Sequence, residues 1–266
     1  MVQPFLKWAG GKRWLVQNHA DLFPKPTEYN RYIEPFLGSG AVFFHLQPKD
    51  AIISDVNPRL INCYVSIRNN YKLVEQHLRK HHYAHDKNYY YSIRQKKFRS
   101  KYQQAAQFLY LNRTCWNGLY RENLKGQFNV PIGSKTNAIL ITDNFKATAT
   151  ALYSAKIYSR DFEETIDEAE KGDFVFIDPP YTVAHNNNGF VKYNQTLFSW
   201  DDQVRLKIAL QRASKRGAEI VITNANHASV SDLYEGLGTH NSLSRRSVIS
   251  GNNKGRNTTT ELVITI

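Results

Sequence analysis

One short segment carries residues that could act on an amine. The apolar run Phe174–Ile177 leads directly into Asp178-Pro179-Pro180-Tyr181. Proline lacks a backbone N–H and forces the residue before it into an extended conformation, so this turn is stiff. The Asp178 carboxylate and a proline carbonyl are then two hydrogen-bond acceptors beside an aromatic ring. Because ligands of doubly wound sheets bind beyond the carboxyl ends of strands, we predict that the tetrapeptide edges a crevice.

Such an edge suits a weakly nucleophilic amine whose lone pair is delocalised into a ring. Two acceptors that bind both N–H groups of an adenine N6 amine would favour a pyramidal nitrogen. Its lone pair would then point at an electrophilic methyl group, and in-line transfer would need no covalent enzyme intermediate. Tyr181 would stack on a base flipped out of its duplex. The alternative is a structural turn with no chemistry, which the buried run and Tyr181 disfavour.

A glycine loop follows an earlier predicted strand. Glu34-Pro35-Phe36-Leu37-Gly38-Ser39-Gly40 contains only part of the dinucleotide-binding pattern, because Phe43 replaces its third glycine. Asp55 ends the next strand, at about the separation at which an acid binds ribose hydroxyls. S-adenosylmethionine has a ribose but no phosphate, and the pattern fits such a ligand.

A third motif, Phe5–Lys12, ends in Gly10-Gly11-Lys12. This ending has a superficial likeness to a phosphate-binding loop. The required spacing of glycines is absent, however, and Arg13 occupies the position of the Ser or Thr hydroxyl. The motif therefore disfavours a P-loop ATPase.

The elements that must position these motifs alternate as in an α/β protein. Short apolar runs predict strands, and Ser199-Trp200-Asp201-Asp202 predicts a capping box that opens a helix ending at Gly217. The alternation fades into polar, Tyr-rich and basic helical stretches between residues 58 and 144. We predict a catalytic domain formed by residues 1–57 and 145–266, with residues 58–144 inserted as a DNA target-recognition domain. The predicted strands are 31–35, 51–55, 156–158, 174–177, 220–222 and 262–266.

Charge and cysteine content narrow the class of protein. The net charge of +12 and the pI of about 9.6 would attract a polyanionic partner, but the charge alone fits a merely basic protein equally well. Cys63 and Cys115 are too few for a disulfide framework and lack metal-ligand spacing, so we expect a cytoplasmic protein without a metal. No apolar run is long enough to span a bilayer, and the first residues lack a signal-peptide pattern.

The three motifs, in this order, resemble those of the Dam-type DNA adenine-N6 methyltransferases over nearly the whole chain. The resemblance implies a Rossmann-like methyltransferase sheet that uses S-adenosyl-L-methionine, with Asp178, Pro179, Pro180 and Tyr181 as the catalytic residues. It implies that Asp55 holds the ribose hydroxyls and that Asp161 and Phe162 flank the adenine of the cofactor. The implied cofactor-binding residues are Trp8, Lys12, Phe36, Gly38, Gly40, Asp55, Asp161, Phe162 and Asp178.

The insertion also resembles this family. Residues 111–133, with turn signals at Asn117-Gly118 and Lys125-Gly126, are similar to its DNA-recognition β-hairpin. The resemblance implies GATC as the target, with Arg121 reading a guanine edge. Leu119 and Pro131 would make apolar base contacts, Trp116 and Asn117 would fill the gap left by the flipped base, and Lys7 would be a further base contact. Trp116 departs from the tyrosine expected there, which affects the details of base flipping. Cys115 lacks the preceding proline of a cytosine-C5 nucleophile.

The sequence is compatible with more than one function. Asp178 would serve a cytosine-N4 or RNA-adenine methyltransferase equally well, and a catalytically silent DNA-binding relative is the alternative outside enzymes. We expect a monomer that binds double-stranded DNA, either as a solitary enzyme or within a restriction–modification pair. The basic, glycine-rich segment 245–256 is predicted to be a loop, either one that contacts phosphate or, equally, a mobile surface loop.

Overall fold

The structure is a computed structural model that describes residues 2–123, 126–183, 198–246 and 258–266. Its centre is a seven-stranded sheet with the order β3-β2-β1-β4-β5-β7-β6. Within the described ranges no helix is long and apolar enough to cross a membrane. The strands are β1 (Tyr32–Glu34), β2 (Ala51–Asp55), β3 (Ala155–Ser159), β4 (Phe174–Ile177), β5 (Glu219–Ala225), β6 (Thr239–Arg246) and β7 (Thr258–Thr265).

Parallel pairing brings the predicted site motifs to one edge of the sheet. Strands β3, β2, β1, β4 and β5 run parallel, and Ile33 pairs with both Ile52 and Val175. Their carboxyl ends therefore lie at the same edge, with Asp55 at the end of β2 and Asp178 just after β4, on either side of β1. Strand β7 is antiparallel to both of its neighbours, β5 and β6. This topology confirms the predicted Rossmann-like α/β class.

Helices cover both faces of the sheet and make up most of the middle of the chain. Strand β4 is buried along its whole length, as its four apolar residues predict. The predicted capping box is present where Ser199 and Asp202 bond each other's backbone, and Gly217 ends that helix at φ +94°. The helices are α1 (Arg13–Asn18), α2 (Ala41–Leu46), α3 (Pro58–Tyr83), α4 (Lys87–Gln95), α5 (Lys101–Thr114), α6 (Phe145–Ala151), α7 (Phe162–Ile166), α8 (Trp200–Arg216) and α9 (Ala228–Leu233).

The residues between β2 and β3 contain the long helices α3, α4 and α5. Segment 115–133 runs antiparallel to itself, but only at two isolated bridges, Cys115–Ile132 and Glu122–Phe128. Among its described residues the predicted hairpin thus forms no continuous strands, and Leu124 and Lys125, at its second turn, lie outside the described residues. The proposed domain boundaries at 58 and 144 stay predictions.

The prediction of a loop from Arg245 was wrong for its first residues. The backbone of Arg245 and Arg246 belongs to β6, which pairs with β7 through Arg246–Thr258. Strand β6 is an edge strand whose described side chains, from Thr239 to Ser244, are largely exposed, and Leu243 is its one apolar residue, so the sequence shows no apolar alternation there. The rest of that segment, residues 247–256, lies outside the described residues.

Candidate active site

The carboxylate of Asp178 lies immediately after β4 and is held by two other elements. The Nζ atom of Lys12 lies 2.7 Å from Oδ1, and the hydroxyl of Thr223 on β5 donates to the same oxygen at 2.8 Å. No described residue donates to Oδ2. One carboxylate oxygen therefore fixes the orientation of the group, while the other has no hydrogen-bond donor among the described residues.

The protonation of Asp178 depends on two opposing effects. Burial raises the pKa of this carboxyl, and the adjacent Lys12 ammonium acts against that rise. Lys12 is itself only 2% exposed and also donates to the Gly10 carbonyl at 2.8 Å. The Gly10-Gly11-Lys12 turn, with φ of +77° at Gly10, thus aims a lysine at Asp178.

Glu261 on β7 is a member of the site that sequence reasoning missed. Its Oε2 lies 3.5 Å from Lys12 Nζ and accepts a hydrogen bond from the Tyr181 hydroxyl at 2.7 Å. Lys12 Nζ also lies 5.0 Å from the centre of the Tyr181 ring. Lys12 therefore connects Asp178, Tyr181 and Glu261. The only signal in the sequence was an acid at the start of the buried apolar run Leu262-Val263-Ile264.

The glycine loop is tied to Asp55. Oδ2 of Asp55 accepts from Gly38 N at 3.1 Å, and Oδ1 accepts from Asn57 N at 2.9 Å. Burial raises the pKa of Asp55 to about 6, although both backbone bonds lower it. Gly38 has φ +46°, and a Cβ there would lie 2.7 Å from the Trp8 ring. Gly40 begins α2 in the left-handed conformation.

Asp161 and Phe162 lie beyond β3, next to the glycine loop. The Phe36 and Phe162 rings stack with centroids 5.3 Å apart. Asp161 caps α7 through Glu163 N, and Arg205 of α8 donates to the same carboxylate oxygen at 2.9 Å. The guanidinium of Arg205 also lies 4.9 Å from the centre of the Phe162 ring. The structure thus brings these residues together at the strand ends, with Arg205 as a partner that the motif did not predict.

The predicted DNA-contacting residues lie together in segment 115–133. Trp116 is 58% exposed, Asn117 has φ +55°, and Leu119 is half-buried. The exposed Arg121 donates through Nε to Asn129 at 3.0 Å, and no described residue accepts from its two terminal nitrogens. Pro131 is exposed on the returning part of the segment.

Lys7 is half-buried against this segment. A Cβ at Gly118 would lie 2.4 Å from Lys7 Cδ, so the glycine permits this close approach. Burial and the neighbouring Lys135 lower the pKa of Lys7. Among the described residues, no group of three or more His, Cys, Asp or Glu side chains is placed to hold a metal ion.

The family of the chain follows from comparison with known proteins. A sequence model of the D12 class N6 adenine-specific DNA methyltransferases matches residues 8–248. The chain belongs to this family. The match extends from Trp8, in the Phe5–Lys12 motif, to just beyond β6, and it confirms the resemblance predicted from the three motifs. The protein is therefore an adenine-specific DNA methyltransferase.

Individual relatives agree over almost the whole length. The methyltransferase is 34% identical to the type II methyltransferase M1.LlaDCHI of Lactococcus lactis subsp. cremoris, over 99% of this chain and 95% of the relative. It is 35% identical to the type II methyltransferase M.MjaIII of Methanocaldococcus jannaschii, over 99% and 98%. It is also 33% identical to a DNA adenine methylase of Haemophilus influenzae, over 88% and 83%.

Proposed function

We propose that this enzyme methylates N6 of an adenine flipped out of double-stranded DNA, within GATC, using S-adenosyl-L-methionine. The observation that carries the proposal is the orientation of Asp178. Lys12 and Thr223 hold one carboxylate oxygen and leave the other to accept from an amine. A reactive amine needs this arrangement, since the acceptor must be in place before the reaction.

The residues at the strand ends fit S-adenosyl-L-methionine. Asp55 lies at the end of β2, where a carboxylate accepts from ribose hydroxyls. Gly38 and Gly40 let the loop pack closely against Trp8 and Tyr64, and the Phe36–Phe162 stack offers an apolar surface for an adenine ring. Trp8 packs against Gly38 and closes the loop on the other side. When bound, the cofactor supplies a methyl group on a positively charged sulfonium and leaves as a neutral thioether.

The protein residues act on the amine. Oδ2 of Asp178 and a carbonyl of Pro179 or Pro180 accept from the two N6–H groups, which exposes the nitrogen lone pair. As the N–CH3 bond forms, the nitrogen loses one proton, and this proton leaves through the Asp178 carboxylate to solvent. Lys12 counters the effect of burial on Asp178 and so favours the ionised acceptor. Because Lys12 lies over one face of Tyr181, a stacked adenine takes the opposite face.

Segment 115–133 supplies sequence recognition in this proposal. Arg121 presents its two terminal nitrogens to a guanine edge, and Lys7, Leu119 and Pro131 make further base contacts. Trp116 and Asn117 fill the space left by the flipped adenine. GATC is proposed on the resemblance of this segment to the Dam-type recognition hairpin. We further propose that residues 58–144 form the recognition domain and that the enzyme acts as a monomer.

Methylation of defined DNA in vitro tests the proposal. The purified enzyme is incubated with S-adenosyl-L-methionine and a duplex with one GATC site, and the products are digested to nucleosides for mass spectrometry. The control duplexes each carry one substituted base pair within GATC. We expect N6-methyladenine from the GATC duplex only. N4-methylcytosine, no methylation of the DNA, or equal methylation of the substituted duplexes would contradict the corresponding part of the proposal.

A further inference from the structure

Tyr120 lies in segment 115–133, the proposed recognition segment, but its ring packs toward the proposed cofactor site. Its neighbours in sequence are Leu119 and Arg121, the proposed base contacts. The Tyr120 ring stacks on Trp8, with centroids 5.5 Å apart and planes 19° apart. It also lies 4.8 Å from the ring of Phe108 on α5. The five-membered part of the Trp8 indole meets Gly38, where a Cβ would lie 2.7 Å from Cδ1. Trp8 is thus in contact with both Tyr120 and the glycine loop.

The hydroxyl of Tyr120 reaches the same crevice by a second route. It donates to Oε1 of Glu122, and the same oxygen lies 3.4 Å from Nη1 of Arg59. Arg59 is in the first turn of α3, which Asn57 caps. The backbone N–H of Asn57 donates to Asp55 at 2.9 Å. Tyr120 is therefore connected to Trp8 through its ring and to the Asp55 turn through its hydroxyl.

The backbone beneath Trp8 is fixed independently of Tyr120. The fully buried Asn112 side chain bonds both the N–H of Lys7, at 3.0 Å, and its carbonyl, at 2.8 Å. Arg113 donates to the Phe5 carbonyl at 2.8 Å and makes two hydrogen bonds to Asp143. A change at Tyr120 therefore acts on the position of the Trp8 ring and leaves its backbone in place.

We propose that Tyr120 is a positioning residue that couples cofactor binding to recognition of the DNA sequence. This inference rests on the proposed roles of Arg121 in base contact and of Trp8 and Asp55 in cofactor binding. When Arg121 and Leu119 engage the correct bases, they hold Tyr120 between them, and Tyr120 holds Trp8 against Gly38. Because such coupling is reciprocal, the cofactor strengthens cognate DNA binding by the same factor.

Calorimetric titration with S-adenosylhomocysteine tests the coupling without turnover. Its dissociation constant is measured for the protein alone, with a GATC duplex, and with a duplex in which one base pair of the site is changed. We expect the GATC duplex to tighten binding by roughly 5- to 150-fold in the wild type, the usual range of such coupling. The changed duplex should tighten it much less.

Variants of Tyr120 locate the coupling. Tyr120→Leu removes both the stack and the hydroxyl, and we expect the cognate effect to fall below about twofold. Affinity without DNA should change much less. Tyr120→Phe keeps the stack and loses the hydroxyl, so its coupling factor should lie between the two. Tyr153→Leu is the matched control, since Tyr153 is 84% exposed elsewhere on the surface, and its coupling should equal that of the wild type.

Two results would overturn the inference. One is a Tyr120→Leu protein that keeps the wild-type coupling factor. The other is a uniform loss of affinity with and without DNA, which would mean that Tyr120 only packs. If circular dichroism shows that Tyr120→Leu is unfolded, Tyr120→Phe decides, and unchanged coupling there refutes the proposal. Failure of the proposed function has a different appearance, because the wild type itself would then bind no S-adenosylhomocysteine or prefer no sequence.

Discussion

The proposed catalytic edge and the proposed recognition segment hold their side chains in different ways. In the catalytic edge, made of Lys12, Asp178, Tyr181, Thr223 and Glu261, each side chain has a partner within the protein. In the recognition segment, residues 115–133, the side chains of Trp116, Arg121 and Pro131 are exposed, and the described residues form isolated bridges in place of continuous strands. Groups that act on a reaction must be oriented before it. Groups that read bases keep their donors for the DNA.

The largest effect is expected at the catalytic edge, from Asp178→Ala. Loss of the acceptor should lower the rate of methylation by about 10²–10³-fold, the cost of removing one preorganised transition-state partner. The affinity for a GATC duplex should stay near that of the wild type. Single-turnover assays and DNA-binding titrations measure the two quantities separately. The protein should stay folded, since Glu261 still lies beside the buried Lys12. An unchanged methylation rate would refute the assignment of Asp178.

Arg121→Ala tests the recognition segment in the same way. If Arg121 reads a guanine, its loss should cost about 1–3 kcal/mol of discrimination at one base pair. The rate at saturating GATC duplex should change far less than in Asp178→Ala. Competition between duplexes substituted at each position gives the discrimination directly. Equal weakening on every sequence would instead mean that Arg121 contacts only phosphate.

The pH dependence of cofactor binding tests the role of Asp55, which belongs to neither the catalytic edge nor the recognition segment. The pKa of Asp55 is about 6, and the ionised form is the better acceptor for ribose hydroxyls. Below pH 6 the dissociation constant of S-adenosylhomocysteine should rise by about tenfold per pH unit, because one proton competes with binding. Asp55→Asn should bind more weakly, with that slope removed. A wild-type constant independent of pH between 5 and 7 would contradict this role.

The ionisation of Asp55 should affect protein stability in the direction opposite to its effect on cofactor affinity, which increases as the pH rises. Its pKa is about 6 in the folded protein against the ordinary 3.8, so the folded state binds more protons between these values. The contribution of Asp55 to stability therefore falls as the pH rises through this window and reaches its minimum above pH 6. Denaturant melts of the wild type and Asp55→Asn at pH 4.5 and pH 7 measure the difference.

The smallest predicted effects come from a matched pair of substitutions, Thr223→Val and Asn129→Ala. Thr223→Val removes the hydrogen bond to Asp178, together with a longer one of 3.3 Å to the Ile177 carbonyl, and Asn129→Ala removes the hydrogen bond from Arg121. A single such bond contributes about 0.5–1.5 kcal/mol. Thr223→Val should slow methylation several-fold on every sequence, whereas Asn129→Ala should alter the ratio between cognate and substituted duplexes. If both variants showed the same pattern, the contrast between the two regions would be wrong.

Sequence reasoning predicted the elements whose signals are local. Strand β4 was predicted with its observed bounds because four apolar residues precede a proline-stiffened turn. The capping box of α8 was predicted because Ser199 and Asp202 have the required spacing. Asp55 and the glycine loop were linked through the spacing of successive strands, and Gly38 N donates to Asp55 in the structure.

Features that depend on contacts between distant parts of the chain, or that lack an apolar pattern, could not be predicted from the sequence. Glu261 joins Lys12 only because β7 returns to the sheet beside β5, and no periodicity records that topology. Strand β6 was missed because its sequence has one apolar residue, Leu243, and its described side chains are largely exposed. Tyr120 looked like one more residue of the recognition segment, and its stack on Trp8 depends on the packing of α5 beneath both rings.

The position of β7 has a consequence for biosynthesis. Strand β7 follows β6 in the chain, yet it lies between β5 and β6 in the sheet. A nascent chain that has emerged only as far as β6 therefore exposes the unpaired edge of β5, and β6 has no neighbour to join. Exposed edges of this kind promote aggregation. The sheet can be completed, and Glu261 can reach Lys12, only after β7 has left the ribosome. A product truncated before β7 would therefore lack Glu261 from its catalytic edge. Its exposed β5 edge would also make it a substrate for cellular quality control.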